Sequence, residues 1–194
     1  MSLLEEQVTE IRPGGDVGRH ADGAILASNI RCLGQPDENE LRRVLLGLEP
    51  SARRSRFGQA ASDTYLTSHA KSALANADWI IGAFIDESLR GVVELYKCEP
   101  HSYVEAAFVV EQEWRRRGLG WALLRAAASA ATQHNTHALR MIFSRHNWPM
   151  RKLADKAKAR FDLVLDEISA DIAIGQPSCQ SSPATAAFKS QVAG

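Results

Sequence analysis

The sequence has little cysteine, no excess of either charge and no long apolar run. Its three cysteines, Cys32, Cys98 and Cys179, stand far apart, and none belongs to a CxxC pair or a zinc-type spacing. This argues against a disulfide framework and indicates a reducing compartment. No stretch approaches a transmembrane span, and the first residues lack the apolar core of a signal peptide. We therefore expect a cytoplasmic protein without a membrane partner.

The charges balance, with 23 basic and 23 acidic residues in 194. A nucleic-acid-binding protein usually carries a basic excess or stripe, so nucleic acid is not the expected partner. Local arginine clusters at 53–56 and 115–117 keep that interpretation open as the weakest alternative. The 45% share of apolar residues and the chain length suit one globular domain with a sizeable core.

The order of polar and apolar segments predicts one α/β domain. Residues 1–21 are polar and contain glycine, which predicts a flexible leader, and residues 176–194 form a low-complexity tail that we expect to be disordered. Between them, residues 22–175 alternate short apolar runs with amphipathic stretches, as expected for helices around a single sheet. We expect strands at 25–33, 79–86, 91–98, 103–110, 139–144, 161–165 and 168–174, and helices at 37–48, 50–77 with a break near Gly58, 121–132 and 150–159. The turn-like stretch Glu87–Arg90 predicts a β-hairpin.

One motif carries chemistry: Arg115-Arg116-Arg117-Gly118-Leu119-Gly120, between an apolar strand and an amphipathic helix. The first N–H groups of a helix lack intrahelical partners, and the helix dipole is positive at that end. Glycines let the backbone approach a ligand, and arginines add positive charge, so the motif predicts a phosphate or pyrophosphate site. It is neither a P-loop nor a dinucleotide fingerprint, since Leu123 stands where the third glycine would be. A solvated basic turn that begins a helix is the alternative.

The run VEAAFVVEQEWRRRGLGWALLRAAA resembles motif A of the GNAT superfamily of N-acetyltransferases, Arg/Gln-x-x-Gly-x-Gly/Ala after a strand and at the start of a helix. The segment HNWPMRKLADKAKARF is similar to the part that follows the next strand in that family, and Glu49–Phe57 resembles bacterial members related to protein acetyltransferases. The resemblance covers about residues 22–174. The matching residues are Arg115, Gly118, Gly120, Asn147, Leu153 and Phe161.

The resemblance implies a single GNAT-like α/β domain. Its sheet would be mixed and mostly antiparallel, of about six to seven strands, with helices on both faces and two strands that splay apart at the CoA site. It implies acetyl-CoA as cosubstrate, no metal, and transfer of the acetyl group to a primary amine by direct attack on the thioester. The implied cofactor-binding residues are Phe108, Val109 and Val110 for pantetheine, Arg115, Arg116, Arg117, Gly118, Leu119, Gly120 and Trp121 for the pyrophosphate, and Asn147 beside the pantetheine arm.

Transfer to an amine needs a free lone pair, yet an alkylammonium group is mostly protonated at neutral pH, so a general base is useful. Glu105, a lone carboxylate in the strand YVEAAFVV, is the candidate, and the resemblance gives it this role. A structural glutamate paired with a surface arginine is the alternative, and Glu94 is the second candidate base. Where many members carry a tyrosine that protonates the leaving thiolate, this chain has Ala154, which leaves water, Ser144 or His146 for that step.

The second class of function is a catalytically silent acyl-CoA-binding module, a sensor or partner subunit, and Ala154 at the tyrosine position supports it. Arg53, Arg54 and Arg56 form either a solvated face or an acceptor entrance. The acceptor is an amine, either a small molecule or a protein lysine, and the sequence does not decide between them. A homodimer is compatible with the sequence, which does not determine the oligomeric state.

Overall fold

The computed structural model describes residues 29–98, 103–134 and 136–174, so the predicted leader and tail lie outside the described residues. Seven strands form one sheet in the order β1-β2-β3-β4-β5-β7-β6. The strands are β1 Asn29–Cys32, β2 Trp79–Ile85, β3 Ser88–Cys98, β4 Tyr103–Val110, β5 Ala138–Ser144, β6 Arg160–Val164 and β7 Glu167–Ala173. The helices are α1 Glu38–Leu46, α2 Pro50–Phe57, α3 Asp63–Asn76, α4 Leu119–Gln133 and α5 Trp148–Lys156.

The predicted α/β class and the mixed, mostly antiparallel sheet are confirmed, with two local differences. The β2–β3 hairpin turns on Asp86 and Glu87, whose φ angles are +50° and +62°, so the turn is shorter than the predicted 87–90 stretch. Positive φ at both central residues is the type I′ geometry, whose twist matches that of the flanking strands. β3 therefore begins at Ser88, three residues before the predicted strand at 91–98.

The predicted helical stretch 50–77 is two helices, because the chain breaks at Gly58 as expected and does not resume a helix at once. Gly58 has a φ of +70°, and its N–H donates to the carbonyl of Arg54, which closes α2. The next helix starts where the Ser62 hydroxyl accepts a hydrogen bond from the backbone N–H of Tyr65 at 3.2 Å. Three helices thus separate β1 from β2, and the sequence predicted two helical stretches.

Helices cover the two faces of the sheet unevenly. On one face, α4 packs Leu119, Leu123 and Ala127 onto the inward side chains of the central strands. On the other face, α1 and α3 pack Leu41, Leu45 and Leu66 against the first half of the sheet. Alternation along β3 sends Val93 and Leu95 toward α4, so Glu94 and Tyr96 belong to the face of α1, α2 and α3. No helix among the described residues is long and apolar enough to cross a bilayer.

The sheet opens between its two parallel neighbours. β4 and β5 pair only along Tyr103–Glu105 and Ala138–Arg140. Past this point β4 continues to Val110 and stays paired with β3, while β5 continues to Ser144 and stays paired with β7. A wedge-shaped gap, here called the cleft, therefore separates the carboxyl-terminal halves of β4 and β5. The predicted splaying of the strands on either side of α4 is confirmed.

Candidate active site

The chain leaves the end of β4 at one lip of the cleft and reaches α4 through the arginine-glycine motif. A 3-10 turn at Gln112–Trp114 reverses the chain first. The Arg115 guanidinium then donates through Nε to the carbonyl of Val110 at 3.1 Å and through Nη1 to Glu49 Oε1 at 2.8 Å. Arg115 thus ties the motif both to β4 and to the residue that precedes α2, so its side chain has a structural task at this lip.

The N-terminus of α4 is left open by its sequence. The residue before the helix is Gly118, which has no side chain to cap N–H groups and has a φ of +91°. The first helical hydrogen bond runs from the Ala122 N–H to the Gly118 carbonyl. The N–H groups of residues 119–121 therefore have no partner within the helix. By contrast, Ser62 caps α3 and Asn147 caps α5. Unbonded N–H groups and the helix dipole make this end suitable for an anion.

Alanine at the two motif glycines should give opposite results. At Gly118 the left-handed backbone opposes any Cβ, and Gly118→Ala is expected to destabilise the fold by about 1–2 kcal/mol. At Gly120 a Cβ would meet only Leu153 Cδ2 at 3.8 Å, an ordinary contact. Because alanine favours a helix by about 1 kcal/mol over glycine, Gly120→Ala should be neutral or stabilising. Urea unfolding of both variants tests the pair, and equal destabilisation of the two would contradict it.

The other motif side chains differ in what they can offer to a ligand. Arg116 and Arg117 are exposed, and the Arg117 guanidinium lies over the Trp114 ring at 5.0 Å. Leu119 is 1% exposed and belongs to the core, so only its backbone is available at the surface. The Lys156 ammonium lies 4.4 Å from the centre of the Trp121 ring, which adds a cation from α5 beside the first turn of α4.

Asn147 lies at the opposite lip, between β5 and α5. Its Oδ1 accepts a hydrogen bond from the Met150 N–H at 3.3 Å, which caps α5, and its Nδ2 donates to Ser55 Oγ at 2.7 Å. α2 contacts both β4 and β5. Since Glu49 meets Arg115 and Ser55 meets Asn147, the α2 segment bridges the two lips of the cleft.

The remaining predicted residues line the β4 side of the cleft. Phe108, Val109 and Val110 belong to the part of β4 that has separated from β5. β3 engages this part of β4 on its other side only. Apart from the Val110 carbonyl, which accepts from Arg115, the backbone groups that face the cleft are therefore available to a ligand chain that would lie in the position of a neighbouring strand.

Glu105 is at the apex of the cleft, because it is the last β4 residue in the parallel ladder with β5. It is half-buried, and its antiparallel partner on β3 is Tyr96. Cross-strand partners share a face of the sheet, so Glu105 lies on the face of α1, α2 and α3. The helix α4 covers the opposite face, and a molecule that is to meet Glu105 must approach from the side of α2.

Beside Glu105 the structure has a buried polar cluster that the sequence did not predict as a unit. We call Glu94, Arg56, His69 and Tyr96 the Glu94 cluster. Glu94 is 0% exposed, and its Oε2 accepts hydrogen bonds from Arg56 Nη2 at 2.5 Å and from the Tyr96 hydroxyl at 3.0 Å. His69 Nε2 lies 3.1 Å from Oε2 and 3.2 Å from Oε1.

The cluster perturbs the pKa values of its members in opposite directions. Burial pushes the pKa of the Glu94 carboxyl up, but the Arg56 charge and the hydrogen bonds of His69 and Tyr96 outweigh it, and the pKa lies below its usual 4.5. Burial raises the pKa of the Tyr96 hydroxyl, and the Glu94 carboxylate raises it further. Glu94 is therefore ionised and Tyr96 neutral under ordinary conditions.

The sequence predicts Glu94 as a second candidate base, but it does not predict this cluster. Glu94 interrupts the apolar run VVELY, which is a local signal for a buried charge with a partner. Arg56 and His69 come from two different helices, and only the fold brings them together.

Ala154, Ser144 and His146, the positions that bear on protonation of the leaving group, differ in burial and in hydrogen bonding. Ala154 is 0% exposed and packs in the core under α4. Ser144 Oγ accepts a hydrogen bond from the backbone N–H of His146 at 3.3 Å, and the exposed His146 ring accepts one from Arg145 at 3.2 Å. Within residues 29–98, 103–134 and 136–174, no group of three His, Cys, Asp or Glu side chains could hold a metal ion.

Comparison with protein families gives a match over residues 43–158 to the acetyltransferase (GNAT) family. The chain belongs to the GNAT family of acetyltransferases. Among curated proteins, no sequence is significantly similar to this chain. This assignment confirms the family that the sequence motifs predict, and it gives the class of reaction as acetyl transfer.

Solved structures show the same GNAT fold at low sequence identity. The GNAT domain of a protein called PAT from S. lividans has a TM-score of 0.65 and 16% identity over 76% of this chain and 90% of that one. The paia N-acetyltransferase from Thermoplasma acidophilum, solved with coenzyme A, has a TM-score of 0.59 and 18% identity over 75% and 98%. Spermidine N-acetyltransferase from Vibrio cholerae, solved with CoA and spermine, has a TM-score of 0.59 and 16% identity over 74% and 92%.

Proposed function

We propose that this GNAT protein transfers an acetyl group from acetyl-CoA to a primary amine by direct attack of the amine on the thioester. The observation that carries the proposal is the cleft between β4 and β5, which ends at the uncapped N-terminus of α4. An extended arm can lie between the strands while a pyrophosphate meets the helix N–H groups, so one ligand with both parts fits the two features together.

The residues that would hold this ligand lie on both lips of the cleft. The backbone of Phe108, Val109 and Val110 would bind the pantetheine arm, and Asn147 would lie beside it. The helix N-terminus and the exposed guanidinium groups of the motif would bind the pyrophosphate. The residues proposed for the pyrophosphate are Arg115, Arg116, Arg117, Gly118, Leu119, Gly120 and Trp121, of which Leu119 contributes only its backbone.

Bound acetyl-CoA supplies an acetyl group on a thiol leaving group. The amine nitrogen forms a bond to the carbonyl carbon, the carbon–sulfur bond breaks, and the sulfur leaves with the bonding pair. We propose that Glu105 takes the proton which the ammonium must lose, directly or through one water. After the attack the nitrogen loses a second proton, which water can pass to the thiolate. A thiol pKa of about 8.5 lets the thiolate leave without a strong acid, so Ala154 is no obstacle to catalysis.

The acceptor is proposed to be a primary amine of a small molecule or a protein lysine. A panel of polyamines, amino sugars and lysine peptides, each with acetyl-CoA, tests the proposal by release of free thiol. Turnover of any amine above the hydrolysis rate without acceptor supports transferase activity. Saturable CoA binding with no thiol release on any acceptor would favour the silent acyl-CoA-binding module, for which the buried Ala154 is the supporting observation.

Removal of the acidic charge beside the motif should tighten CoA binding. Glu49 pairs with Arg115, and this contact holds the pKa of its carboxyl below the usual value, so it is an anion next to the phosphate site. Glu49 is partly exposed and screened, so Glu49→Gln is expected to improve CoA affinity by only about twofold to fivefold. Isothermal calorimetry at low and high salt measures this change, which should shrink as salt increases.

The matched control is Asp162→Asn, which removes a surface carboxylate paired with Arg160 on the edge strand β6. We expect no change in CoA affinity for this variant. Weaker CoA binding in Glu49→Gln would mean that the carboxylate serves mainly to orient Arg115, and it would overturn the prediction.

A further inference from the structure

We propose that Glu94 is a positioning residue for the acetyl transfer, because its buried carboxylate fixes α2 across the cleft and holds Tyr96 beside Glu105. This inference rests on the proposed transferase function. In this proposal the Glu94 cluster helps to position the amine acceptor, and Glu94 is not the general base.

Glu94 cannot easily act as the base itself. It is 0% exposed, so an amine has no path to it in this conformation. Both of its oxygens already face partners from three elements, Arg56 on α2, His69 on α3 and Tyr96 on β3. A carboxylate with these partners is stabilised in its charged form, and protonation would weaken each contact.

The helix α2 depends on polar contacts for its position. It has no fully buried residue, and only Ala52 and Phe57 pack partly against the second core. Its fixed points are polar. Arg53 donates to three backbone carbonyls and to the Asp63 carboxylate, between the end of α1 and the start of α3. Around the cleft, Glu49, just before α2, meets Arg115, Ser55 meets Asn147, and Arg56 meets Glu94. The last of these is the most buried, since the Arg56 side chain is 15% exposed and Glu94 is 0% exposed.

The position of α2 matters because of the direction from which the acceptor must arrive. α4 covers one face of the sheet around the cleft, and Glu105 points to the other face, where α2 lies. The acceptor therefore passes α2 on its way to Glu105. A helix held loosely at this place would widen the distribution of acceptor positions, and a misplacement of about 1 Å can cost roughly 100-fold in rate.

Tyr96 connects the same carboxylate to Glu105. The Tyr96 hydroxyl donates to Glu94, and Tyr96 is the direct cross-strand partner of Glu105. Side chains in such pairs are neighbours on one face. Glu94 thereby fixes the aromatic ring that forms one wall beside the proposed base.

The test compares Glu94→Gln with wild type in steady-state kinetics and in CoA binding. We expect the KM for the amine to rise about tenfold and kcat to fall about tenfold, while the Kd for CoA changes less than about twofold. Arg56→Lys should recover part of the activity lost in Arg56→Gln, since it restores a cation to Glu94. The control is Arg160→Gln, which removes an exposed arginine of the edge strand β6 and should leave the kinetics unchanged. Wild-type amine KM and kcat in Glu94→Gln would overturn the proposal.

The pH profile separates positioning from base catalysis. The groups that face Glu94 are Arg56, His69 and Tyr96, and Glu105 lies next to Tyr96. If Glu94 only positions, the fall of activity toward acid pH persists in Glu94→Gln and has the same midpoint as in wild type. Loss of that fall in Glu94→Gln instead would make Glu94 the base and would overturn the positioning role.

A further readout keeps the inference independent of turnover. If wild-type protein acetylates no amine, the proposed function fails, and amide hydrogen exchange still tests whether Glu94 fixes α2. Exchange in residues 50–57 should accelerate at least about tenfold in Glu94→Gln, while exchange in α1 stays within about twofold of wild type. Unchanged exchange in residues 50–57 would overturn the inference whatever the activity.

Discussion

Replacement of Glu105 by glutamine is expected to lower kcat/KM for the amine by about 10²–10⁴-fold near neutral pH, the usual contribution of a general base. Glutamine keeps the shape of the side chain but cannot take a proton, so the Kd for CoA should stay close to that of wild type. Thiol release with the best amine of the panel measures the rate. The half-buried position of Glu105 at the apex of the cleft is the structural reason to expect the effect at this carboxylate.

The control for this prediction is Glu87→Gln in the β2–β3 turn, which makes the same chemical change outside the cleft. It should leave kcat/KM unchanged. An amine that is more basic should also suffer a larger loss in Glu105→Gln than a less basic one, because more of it is protonated. Undiminished turnover in Glu105→Gln would remove Glu105 as base and leave deprotonation to water.

Replacement of Arg56 by methionine is expected to destabilise the fold by about 3–5 kcal/mol near neutral pH, because it leaves the charge of Glu94 buried with less compensation. The double variant Arg56→Met with Glu94→Gln removes the charge as well. It should therefore lose less stability than Arg56→Met alone. Urea unfolding of wild type, the single variant and the double variant measures the three free energies.

The pH dependence of this loss has a definite sign. In wild type the pKa of Glu94 is lowered below 4.5, so its stabilisation is present above that value and is lost as pH falls through the folded-state pKa. Burial is the largest single influence on Glu94 and raises its pKa, and without the Arg56 charge less opposes it. The cost of the buried charge then fades as pH falls and Glu94 takes up a proton. The gap between wild type and Arg56→Met should therefore narrow between about pH 7.5 and about pH 5.

His69 also faces Glu94, with Nε2 at 3.1 Å from Oε2, in wild type and in the variant. A gap of equal size at both pH values would contradict the assignment of the loss to a buried charge. It would indicate that the packing of Arg56 against the Phe57 ring, 4.8 Å from its guanidinium carbon, is what stabilises the fold.

Much of the fold follows from local patterns. The strand YVEAAFVV and the strand at 139–144 appear where the apolar runs predict them, and α4 follows its alanine-leucine face. The boundaries that differ depend on backbone conformations which side-chain patterns do not specify. The positive φ angles of Asp86 and Glu87 shorten the hairpin turn, and Gly58 with Ser62 separates α2 from α3.

The candidate site also has parts that local sequence predicts and parts that depend on the fold. The arginine-glycine motif and Glu105 can be found in sequence because a helix start and a strand are local structures. The contacts by which Arg115 and Asn147 hold α2 in place cannot be found in the sequence. Their partners, Glu49 and Ser55, are 66 and 92 residues away in the chain.

The sequence by itself determined that Arg115–Gly120 starts a helix with open N–H groups, and that an apolar strand with one carboxylate precedes it. Those features depend on neighbours within a few residues, so pattern and backbone chemistry are enough. Only the tertiary structure decided where β4 and β5 separate, which is after Glu105. It alone decided that α2 bridges the resulting cleft and that Glu94 is buried among Arg56, His69 and Tyr96. These arrangements join distant parts of the chain, and they exist only because burial of the two apolar cores brings the helices and strands together.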